Sequence, residues 1–420
     1  MLFFNRVFGS EDDCPPQFKD ISAEILRMCG ALPLAIITIA SLLASRQARS
    51  NDEWESIRNS LGAKFVINPT LEEMRGILNL SYMHLPLHLR PCLLYLGMHP
   101  EDKNIRRGHL VAQWVAEGFV NNSHGSDLDD VAKSYFNELI NRSFIQPAEL
   151  SSFAAVEYCT VHDMMLDLIT SKCAEDNFSV AYNCEDVARM HSYEHKVRRL
   201  SLKSSASYTT SVIVDTSMSQ VRSLAQFGES NYTPPLSLFT YLRVLLYDFP
   251  YKDATVDLSP IDQLFQLRHV RVNAKECIID LPAEIRGLVH LETLVINGRS
   301  AQNFPSDIVL LPRLSHLSLP DGTGLPQGVA RIKSLRALSC PDMEKSSLED
   351  IKGIGDELTG LRMLSFSGKM VAEEIVDALV SSIARLRDLK YLFVSANGWI
   401  LKRVPNWIGD LHCLRSLTLS

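Results

Sequence analysis

The first 190 residues carry apolar side chains mostly at the three- and four-residue spacing of amphipathic helices. Helices are predicted over residues 18–29, 33–43, 51–61, 70–85 and 105–119. Gly30 suits the end of the first of these helices, and Pro33 suits the first turn of the second. Two short strands near 144–147 and 156–161 follow the helices. Three helices followed by a two-stranded wing predict a winged-helix subdomain.

The stretch YCTVHDMMLDLI at 158–169 predicts a short strand that feeds a helix. Its apolar stripe has helical spacing and consists of Val161, Met164, Met165, Leu168 and Ile169. Thr160 or Asp163 is expected to cap this helix, which places His162 at the helix N-terminus. Unpaired N–H groups and the helix dipole favour phosphate or carboxylate at such an end. The alternative for His162 is a structural capping residue without a ligand.

The second half repeats the frame L-x-x-[LV] at residues 242, 267, 291, 314, 335, 361, 389 and 414. The intervals of 21 to 28 residues are typical of leucine-rich repeats, which stack one strand and one return segment per unit. The frame is predicted to begin earlier, at 197 and 221. A second signature, an apolar residue followed by proline, occurs at 281, 304, 325 and 404 and predicts a helical return. Because LRSLTLS ends within a strand without a capping unit, we expect the solenoid to continue.

Residues between the ladder leucines are expected to line a concave face that selects a partner. They are Arg243, Tyr247, Arg268, His269, Arg271, Glu292, Arg313, His316, Arg336, Arg362, Lys390 and Arg415. Much of this set is basic, which suits protein recognition. The alternative is that the arginine stems only cover the ladder.

Composition and charge narrow the possible functions. At 420 residues and 46% hydrophobic content, the chain is expected to form two or three domains. The net charge of −7, without a basic block, argues against nucleic acid as the main partner. The nine cysteines lack the spacing of a zinc or disulfide framework, and no signal peptide or transmembrane segment is evident. These features favour a cytoplasmic protein.

Two specific sites are weighed and set aside. The predicted helix at 105–119 buries Leu110, Trp114 and Val115 but has only two isolated arginines, at 106–107, so DNA binding is not expected. Histidines four residues apart, at 84 and 88 and again at 191 and 195, have no convincing third ligand, so no metal site is predicted. No catalytic constellation emerges, and no enzymatic activity is expected.

Five ordered motifs resemble the plant intracellular immune receptors known as NB-ARC leucine-rich-repeat disease-resistance proteins. They are CGALPLAI, LSYMHLPLHLRPCLLYLGMHPED, QWVAEGFV, YFNELINRSFI and VHDMMLDLI. The resemblance implies that Pro33 packs against the adenine of ADP and that His162 contacts its β-phosphate and holds the receptor closed. Val161, His162 and Asp163 would form the structural switch motif, with Asp163 as the companion of His162 and Val161 replacing the family's methionine.

The resemblance also implies three parts. Residues 1–68 would be the helical subdomain of a partial NB-ARC domain, 69–190 its winged-helix subdomain, and 191–420 a leucine-rich-repeat solenoid. The glycine-rich phosphate loop that ends in Gly-Lys-Ser/Thr is absent, and Asp129-Asp130 is expected in a loop rather than after an apolar strand. The chain therefore looks truncated at its N-terminus. It is expected to bind ADP weakly or not at all, although a full-length parent would use ADP or ATP.

Two functions remain open. In the first, the chain is part of an innate immune receptor whose repeats recognise a pathogen effector or a guarded host protein. Recognition would weaken the ADP-bound closed state and favour an oligomer of the full-length form. In the second, the chain is a nucleotide-independent adaptor or decoy that only docks proteins. ATP hydrolysis by this chain is not expected in either case.

Overall fold

Two units make up the chain, Met1–Ser179 and Val180–Ser420. The computed structural model describes residues 2–29, 32–45, 51–62, 71–121, 125–150, 156–183, 197–204, 216–228, 233–249, 252–300, 304–320, 322–340, 342–368, 372–396, 409 and 411–419. None of the helices in these ranges is long and apolar enough to cross a membrane. Strand β4 (Val180–Asn183) is the first strand of the second unit, and it pairs with the next strand of the same unit. The three domain boundaries given by the resemblance remain predictions.

The first unit contains nine described helices and three short strands. The helices are α1 (Leu2–Phe8), α2 (Pro16–Met28), α3 (Pro33–Ser45), α4 (Asn51–Gly62), α5 (Leu71–Met83), α6 (Arg90–Leu94), α7 (Arg107–Glu117), α8 (Leu128–Asn141) and α9 (Asp163–Glu175). The fully buried Trp54 stacks against Phe18, with ring centroids 4.8 Å apart, and against Phe8 at 5.8 Å. This aromatic cluster packs α1, α2 and α4 together because large rings bury much apolar area.

The winged-helix region differs from the predicted two-stranded wing by one strand. β1 (Ile105–Arg106), β3 (Val156–Thr160) and β2 (Gln146–Leu150) form an antiparallel sheet in that order. Residues 105–106 are therefore strand, and the helix predicted from 105 begins at Arg107. Of the three residues that this helix was expected to bury, Leu110 and Trp114 are buried, whereas Val115 is only half-buried. The helix also buries Val111, Gln113, Ala116 and Glu117.

Asp129 and Asp130 lie in the first turn of α8, so the loop predicted for them is wrong. The side chain of Asp127 caps this helix by accepting a hydrogen bond from the Asp129 N–H at 3.1 Å. Both acidic side chains pair with Lys133 one turn later. Carboxylates in the first turn of a helix are stabilised by its dipole, which accounts for the pair without a metal.

The second unit contains a parallel sheet with one strand per repeat. Its strands are β5 (Arg199–Ser204), β6 (Ser223–Gly228), β7 (Val244–Asp248), β9 (His269–Asp280), β10 (Thr293–Ser300), β11 (His316–Ser318), β12 (Ala337–Cys340), β13 (Met363–Gly368), β14 (Tyr391–Ala396) and β15 (Ser416–Leu419). They pair in this order after β4, and β8 (Lys252–Asp257) pairs with β9 off this path. The predicted early repeats at 197 and 221 are confirmed by β5 and β6.

One leucine or valine per strand stacks in register through the core of the second unit. These residues are Leu200, Leu224, Leu245, Val270, Leu294, Leu317, Leu338, Leu364, Leu392 and Leu417. All except the half-buried Leu417 are at most 2% exposed. The frame read from the sequence is this ladder, because each unit buries its apolar side chain only against its neighbours.

The type of helix in the return segment depends on the length of the repeat. The repeats from 335 to 361 and from 361 to 389, with intervals of 26 and 28 residues, hold α10 (Leu348–Glu357) and α11 (Glu373–Ile383). The shorter repeats from 291 and 314 hold only 3-10 helices, at Ser306–Leu310 and Val329–Arg331. The helix predicted after the proline near 281 is not present, and residues 405–408, where the helix after 404 is predicted to begin, lie outside the described residues.

Acidic side chains link some return segments to the preceding repeat. Asp307 Oδ2 accepts hydrogen bonds from the backbone N–H groups of Ile285 and Arg286, both at 2.8 Å. Asp350 Oδ1 accepts from the Gly328 N–H at 2.6 Å. These bonds satisfy amides that the short return segments leave without a helical partner.

Candidate functional site

His162 is the N-cap of α9, the predicted switch-motif helix. Its Nδ1 accepts a hydrogen bond from the Met164 N–H at 3.3 Å, and its backbone is extended, with φ −66° and ψ 140°. The cap is therefore His162 itself, as in the structural alternative given for this histidine, and not Thr160 or Asp163. An Nδ1 that accepts a hydrogen bond leaves the ring proton of a neutral imidazole on Nε2. Because the side chain is exposed, this Nε2–H is available as a donor at the helix N-terminus.

Packing fixes α9 beneath this histidine. Met165, Leu168 and Ile169 of the predicted stripe are buried, and Val161 and Met164 are half-buried. The thiol of Cys173 donates to the Leu94 carbonyl at 3.4 Å. Gly97 faces the same helix so closely that an added Cβ would lie 3.1 Å from Ile169 Cγ2. The helix N-terminus is therefore held in place by well-packed contacts along α9.

Pro33, the predicted adenine contact, is the exposed first residue of α3. Helix α5 packs against both α3 and α9, so it connects the two helices whose starts carry Pro33 and His162. Among the described residues no hydrogen bond joins Pro33 to His162. The structure thus places both residues at exposed helix starts but does not join them directly.

The surroundings of His162 favour an anionic group only weakly. The exposed Nε2–H and the N-terminal end of the 13-residue helix α9 both favour an anionic oxygen. Asp163 lies in the first helical turn and is exposed, so its carboxylate already complements the same end of the dipole. A phosphate oxygen would therefore meet one donor and one nearby negative charge, which predicts a weak contact from these residues alone.

Some residues predicted to line the concave face are partly accessible, whereas others are buried. We define the open face as the face of the sheet opposite the leucine ladder. Arg271, Glu292 and His316 are half-buried, whereas Tyr247 is 1% exposed and alternates with the open-face residues of β7. Tyr247 is therefore a core residue, and its place in the predicted recognition face is wrong. Burial and the nearby Arg268 and Arg313 act in opposite directions on the Glu292 carboxyl, and burial dominates, so its pKa is raised.

His269 is 1% exposed, and among the described residues neither of its ring nitrogens has a hydrogen-bond partner. Burial, together with the positive charge of Arg271 and the neighbouring His316, lowers its pKa to about 3. The imidazole is therefore neutral at physiological pH. A neutral, buried ring is not available to select a charged partner by salt-bridge formation.

The position directly before each strand forms a basic column across the sheet. We define this column as Arg198, Arg222, Arg243, Arg268, Arg336, Arg362, Lys390 and Arg415. Backbone hydrogen bonds join successive residues at this position, from the Arg222 N–H to the Arg198 carbonyl at 2.7 Å through to the Arg415 N–H and the Lys390 carbonyl at 2.8 Å. Glu292 and Ser315 occupy the same position between the two halves of the column.

Arg198 and Arg222 belong to this column but are not among the residues predicted to line the concave face. The signal was the arginine at 198 and at 222 in VRRL and VRSL, each in the repeat frame but outside the eight clearest units. Six of the predicted concave residues belong to the column, and they lie at one register position rather than being scattered over a face. That regularity is produced by the repeat itself.

No group of three or more potential metal ligands occurs among the residues that the structure describes. The ring of His88 lies 4.9 Å from that of Tyr135, measured between centroids. His191 and His195 lie outside the described residues. The cysteine thiols at 29 and 159 are buried, and burial raises the pKa of each to about 12.

Two family comparisons agree with the two units. The family described as Disease resistance protein Winged helix domain matches residues 98–169. The family described as Leucine-rich repeat region matches residues 220–420. The first match includes β1, β2, β3 and the His162 cap, and the second includes the strands from β6 onward.

The chain is similar to plant proteins along most of its length. It is 40% identical to Disease resistance protein RGA5 of Oryza sativa subsp. japonica over 94% of this chain and 36% of that protein. It is 30% identical to Disease resistance protein Pik-2 of the same organism over 96% of this chain and 45% of that protein. The chain thus spans less than half the length of these relatives.

A solved structure gives a weaker likeness. The ectodomain of the receptor kinase GASSHO1/SCHENGEN3 from Arabidopsis thaliana is 16% identical, covers 52% of this chain and 29% of that one, and has a TM-score of 0.34. The identities to RGA5 and Pik-2, with the two family matches in the predicted order, show that the chain belongs to the plant NB-ARC leucine-rich-repeat disease-resistance proteins.

Proposed function

We propose that this chain acts in plant defence by recognising a pathogen-derived or guarded host protein through its leucine-rich repeats, in the cytoplasm. The observation that carries this proposal is the uninterrupted parallel ladder from β5 to β15, which presents one register position per repeat to a partner. Repeats of this kind provide extended surfaces that suit proteins better than small molecules. No step of this function requires chemistry by the chain.

The test of protein recognition has two stages. Proximity labelling from the full 420-residue chain in challenged and mock-treated leaves identifies candidate partners. Each purified candidate is then bound to the purified chain and to a chain with charge-reversed repeat residues. Loss of binding in the reversed chain supports recognition by the repeats. Absence of any purified partner that depends on residues 197–419 would overturn it.

We also propose that His162 donates its Nε2–H to a phosphate oxygen of ADP and that Pro33 supports the adenine. ADP would supply only a diphosphate and a base to bind. His162 would orient through its Nδ1 cap, and Val161 would keep the preceding turn packed. Support comes from the exposed donor at the start of α9. Protein recognition would weaken the contacts of the closed state and so favour the open form.

Nucleotide titration separates this proposal from the adaptor alternative. ADP and inorganic pyrophosphate are titrated into the chain that carries 15N-labelled histidine, with His162→Asn to assign the His162 resonances. A shift of the Nε2 resonance that is lost in His162→Asn supports the phosphate contact. If millimolar ADP shifts no His162 resonance, the nucleotide has no part in this chain's function and the adaptor reading stands.

A further inference from the structure

The last four strands of the sheet combine positive charge with half-buried apolar side chains. Residues 336–340, 362–368, 390–396 and 415–419 include four cations of the basic column and no aspartate or glutamate. This local charge of +4 contrasts with the net charge of −7 for the whole chain. The concentration of cations is therefore a property of this part of the sheet and not of the composition.

The four cations are held at regular spacing by the backbone. The Arg362 N–H donates to the Arg336 carbonyl at 2.7 Å, and the Lys390 N–H donates to the Arg362 carbonyl at 2.8 Å. Adjacent strands lie about 4.8 Å apart, so the four positions extend over about 14 Å. Like charges at the same register of neighbouring strands repel one another. A partner that carries negative charge would relieve this repulsion.

Three large apolar side chains lie on the open face of the strands that these cations precede. Met363 and Tyr391 follow Arg362 and Lys390 directly, and they are paired in register between β13 and β14. Phe393 lies two residues further along β14. Each is half-buried, whereas the intervening Leu364 and Leu392 are at most 1% exposed in the core. Aromatic residues, methionine and arginine together are the composition enriched at protein interfaces.

Two acidic residues of the return segment before β13 pair with cations outside the four strands. Glu357 pairs with Lys333, and Asp356 pairs with Arg385. Both carboxylates are at the end of α10, and both partners are outside the four strands. Arg336 also has a structural contact, since its Nη1 donates to the Gly360 carbonyl at 3.1 Å. Arg336 is therefore left unchanged in the experiment below.

We propose that these four cations, with Met363, Tyr391 and Phe393, form a docking surface for an acidic segment of a protein partner that carries an apolar anchor residue. This surface, the β12–β15 patch, deepens the proposed function because it rests on protein recognition by the repeats. The carboxylates of the segment meet the cations, and its anchor packs on the three apolar side chains. An extended segment of about five residues is enough to cross 14 Å.

Binding of defined peptides to the full chain tests this proposal. Three fluorescent eight-residue probes are used: glutamates with one leucine and one phenylalanine, the same peptide with glycine at both apolar positions, and the same peptide with lysine for glutamate. A short oligouridylate serves as a non-protein polyanion. We expect the first peptide to bind best and the lysine peptide not to bind. We expect the oligouridylate to bind at least tenfold more weakly than the first peptide.

Matched variants then locate the binding. Lys390→Glu with Arg415→Glu is expected to weaken the first peptide at least tenfold. Lys352→Glu with Arg387→Glu changes the net charge equally at two exposed sites outside the strands, and it is expected to change affinity less than twofold. Phe393→Ser is expected to weaken the first peptide but not the glycine peptide. Thermal unfolding of each variant establishes that it is folded.

Three results would overturn the proposed patch. In the first, the acidic peptide with leucine and phenylalanine does not bind. In the second, Lys352→Glu with Arg387→Glu weakens this peptide as much as Lys390→Glu with Arg415→Glu does, and in the third, oligouridylate binds as tightly as the peptide. The partner found by proximity labelling separates the two proposals. If that partner depends on residues 197–419 but tolerates Lys390→Glu with Arg415→Glu, protein recognition stands and the patch fails. If no such partner exists, the proposed function fails.

Discussion

The Nδ1 atom of His162 accepts the Met164 N–H at 3.3 Å, so one ring both caps α9 and aims its other nitrogen away from the helix. A role of His162 as a helix cap and a role as a phosphate contact are therefore compatible. The cap uses one nitrogen, and the proposed phosphate contact uses the other. Substitutions that keep one function and remove the other can separate them.

Replacing His162 provides that separation. His162→Ala removes the cap and is expected to lower the free energy of unfolding by about 1 kcal/mol, whereas His162→Asn supplies a good capping oxygen and is expected to stay near the wild-type value. Urea unfolding followed by circular dichroism measures both. Equal destabilisation by alanine and asparagine would show that the cap does not contribute as described.

A side chain at Gly97 is expected to crowd α9 and lower stability. Gly97→Ala would place a methyl group 3.1 Å from Ile169 Cγ2 and 3.4 Å from Cys173 Sγ. Overpacking of this kind costs about 1 to 3 kcal/mol. Gly76→Ala is the matched control, because nothing lies within 4 Å of its added Cβ in the interior of α5, and it should raise stability by about 0.5 to 1 kcal/mol. Thermal unfolding of the two variants should show midpoints that move in opposite directions.

Removing the hydrogen bonds between Asp307 and the preceding repeat is expected to lower the stability of the second unit. Asp307→Ala would leave the Ile285 and Arg286 amides without their acceptor, at a cost of about 2 kcal/mol. Asp307→Asn keeps one side-chain oxygen and should lose much less, since both amides bind the same oxygen. Chemical unfolding of the two variants gives the comparison. If Asp307→Asn lowers the free energy of unfolding as much as Asp307→Ala, the negative charge of Asp307 contributes and not its role as a hydrogen-bond acceptor.

Acid is expected to destabilise the second unit through His269. The folded pKa of about 3 lies below the ordinary value of 6.5. The contribution of the neutral ring is therefore fully present above about pH 6.5 and is lost as the pH falls toward the folded value. The expected loss is about 1.4 kcal/mol for each pH unit below the ordinary value. Unfolding by urea at several pH values measures the slope, and His269→Asn should flatten it. An unchanged slope in that variant would assign the pH dependence to other groups.

The repeats are readily predicted from the sequence because the leucines that define the repeat frame are also the residues that form the core. Each leucine of the ladder, such as Leu338 or Leu364, is buried only through its neighbours, so the period of the sequence is the period of the structure. Spacing alone predicts the winged helix, although it extends α7 over the two residues of β1. Two residues are too few to show a strand period.

Other features depend on contacts between distant segments. The identity of the α9 cap is set by the His162 rotamer, which the sequence does not encode locally. The bond from Asp307 to residues 285–286 crosses between repeats, so no local pattern predicts it. The repeat frame alone assigns Tyr247 to the recognition face as a residue between ladder leucines, yet the register of β7 puts it in the core.

Hydrogen–deuterium exchange of the full chain, with and without its purified protein partner, tests the central claim most directly. Recognition by the leucine-rich repeats predicts slower exchange in strands between β5 and β15 when the partner is bound, with the largest effect in β12–β15 if the patch is the docking surface. Protection confined to residues 2–179, with none in the repeats, would contradict the account.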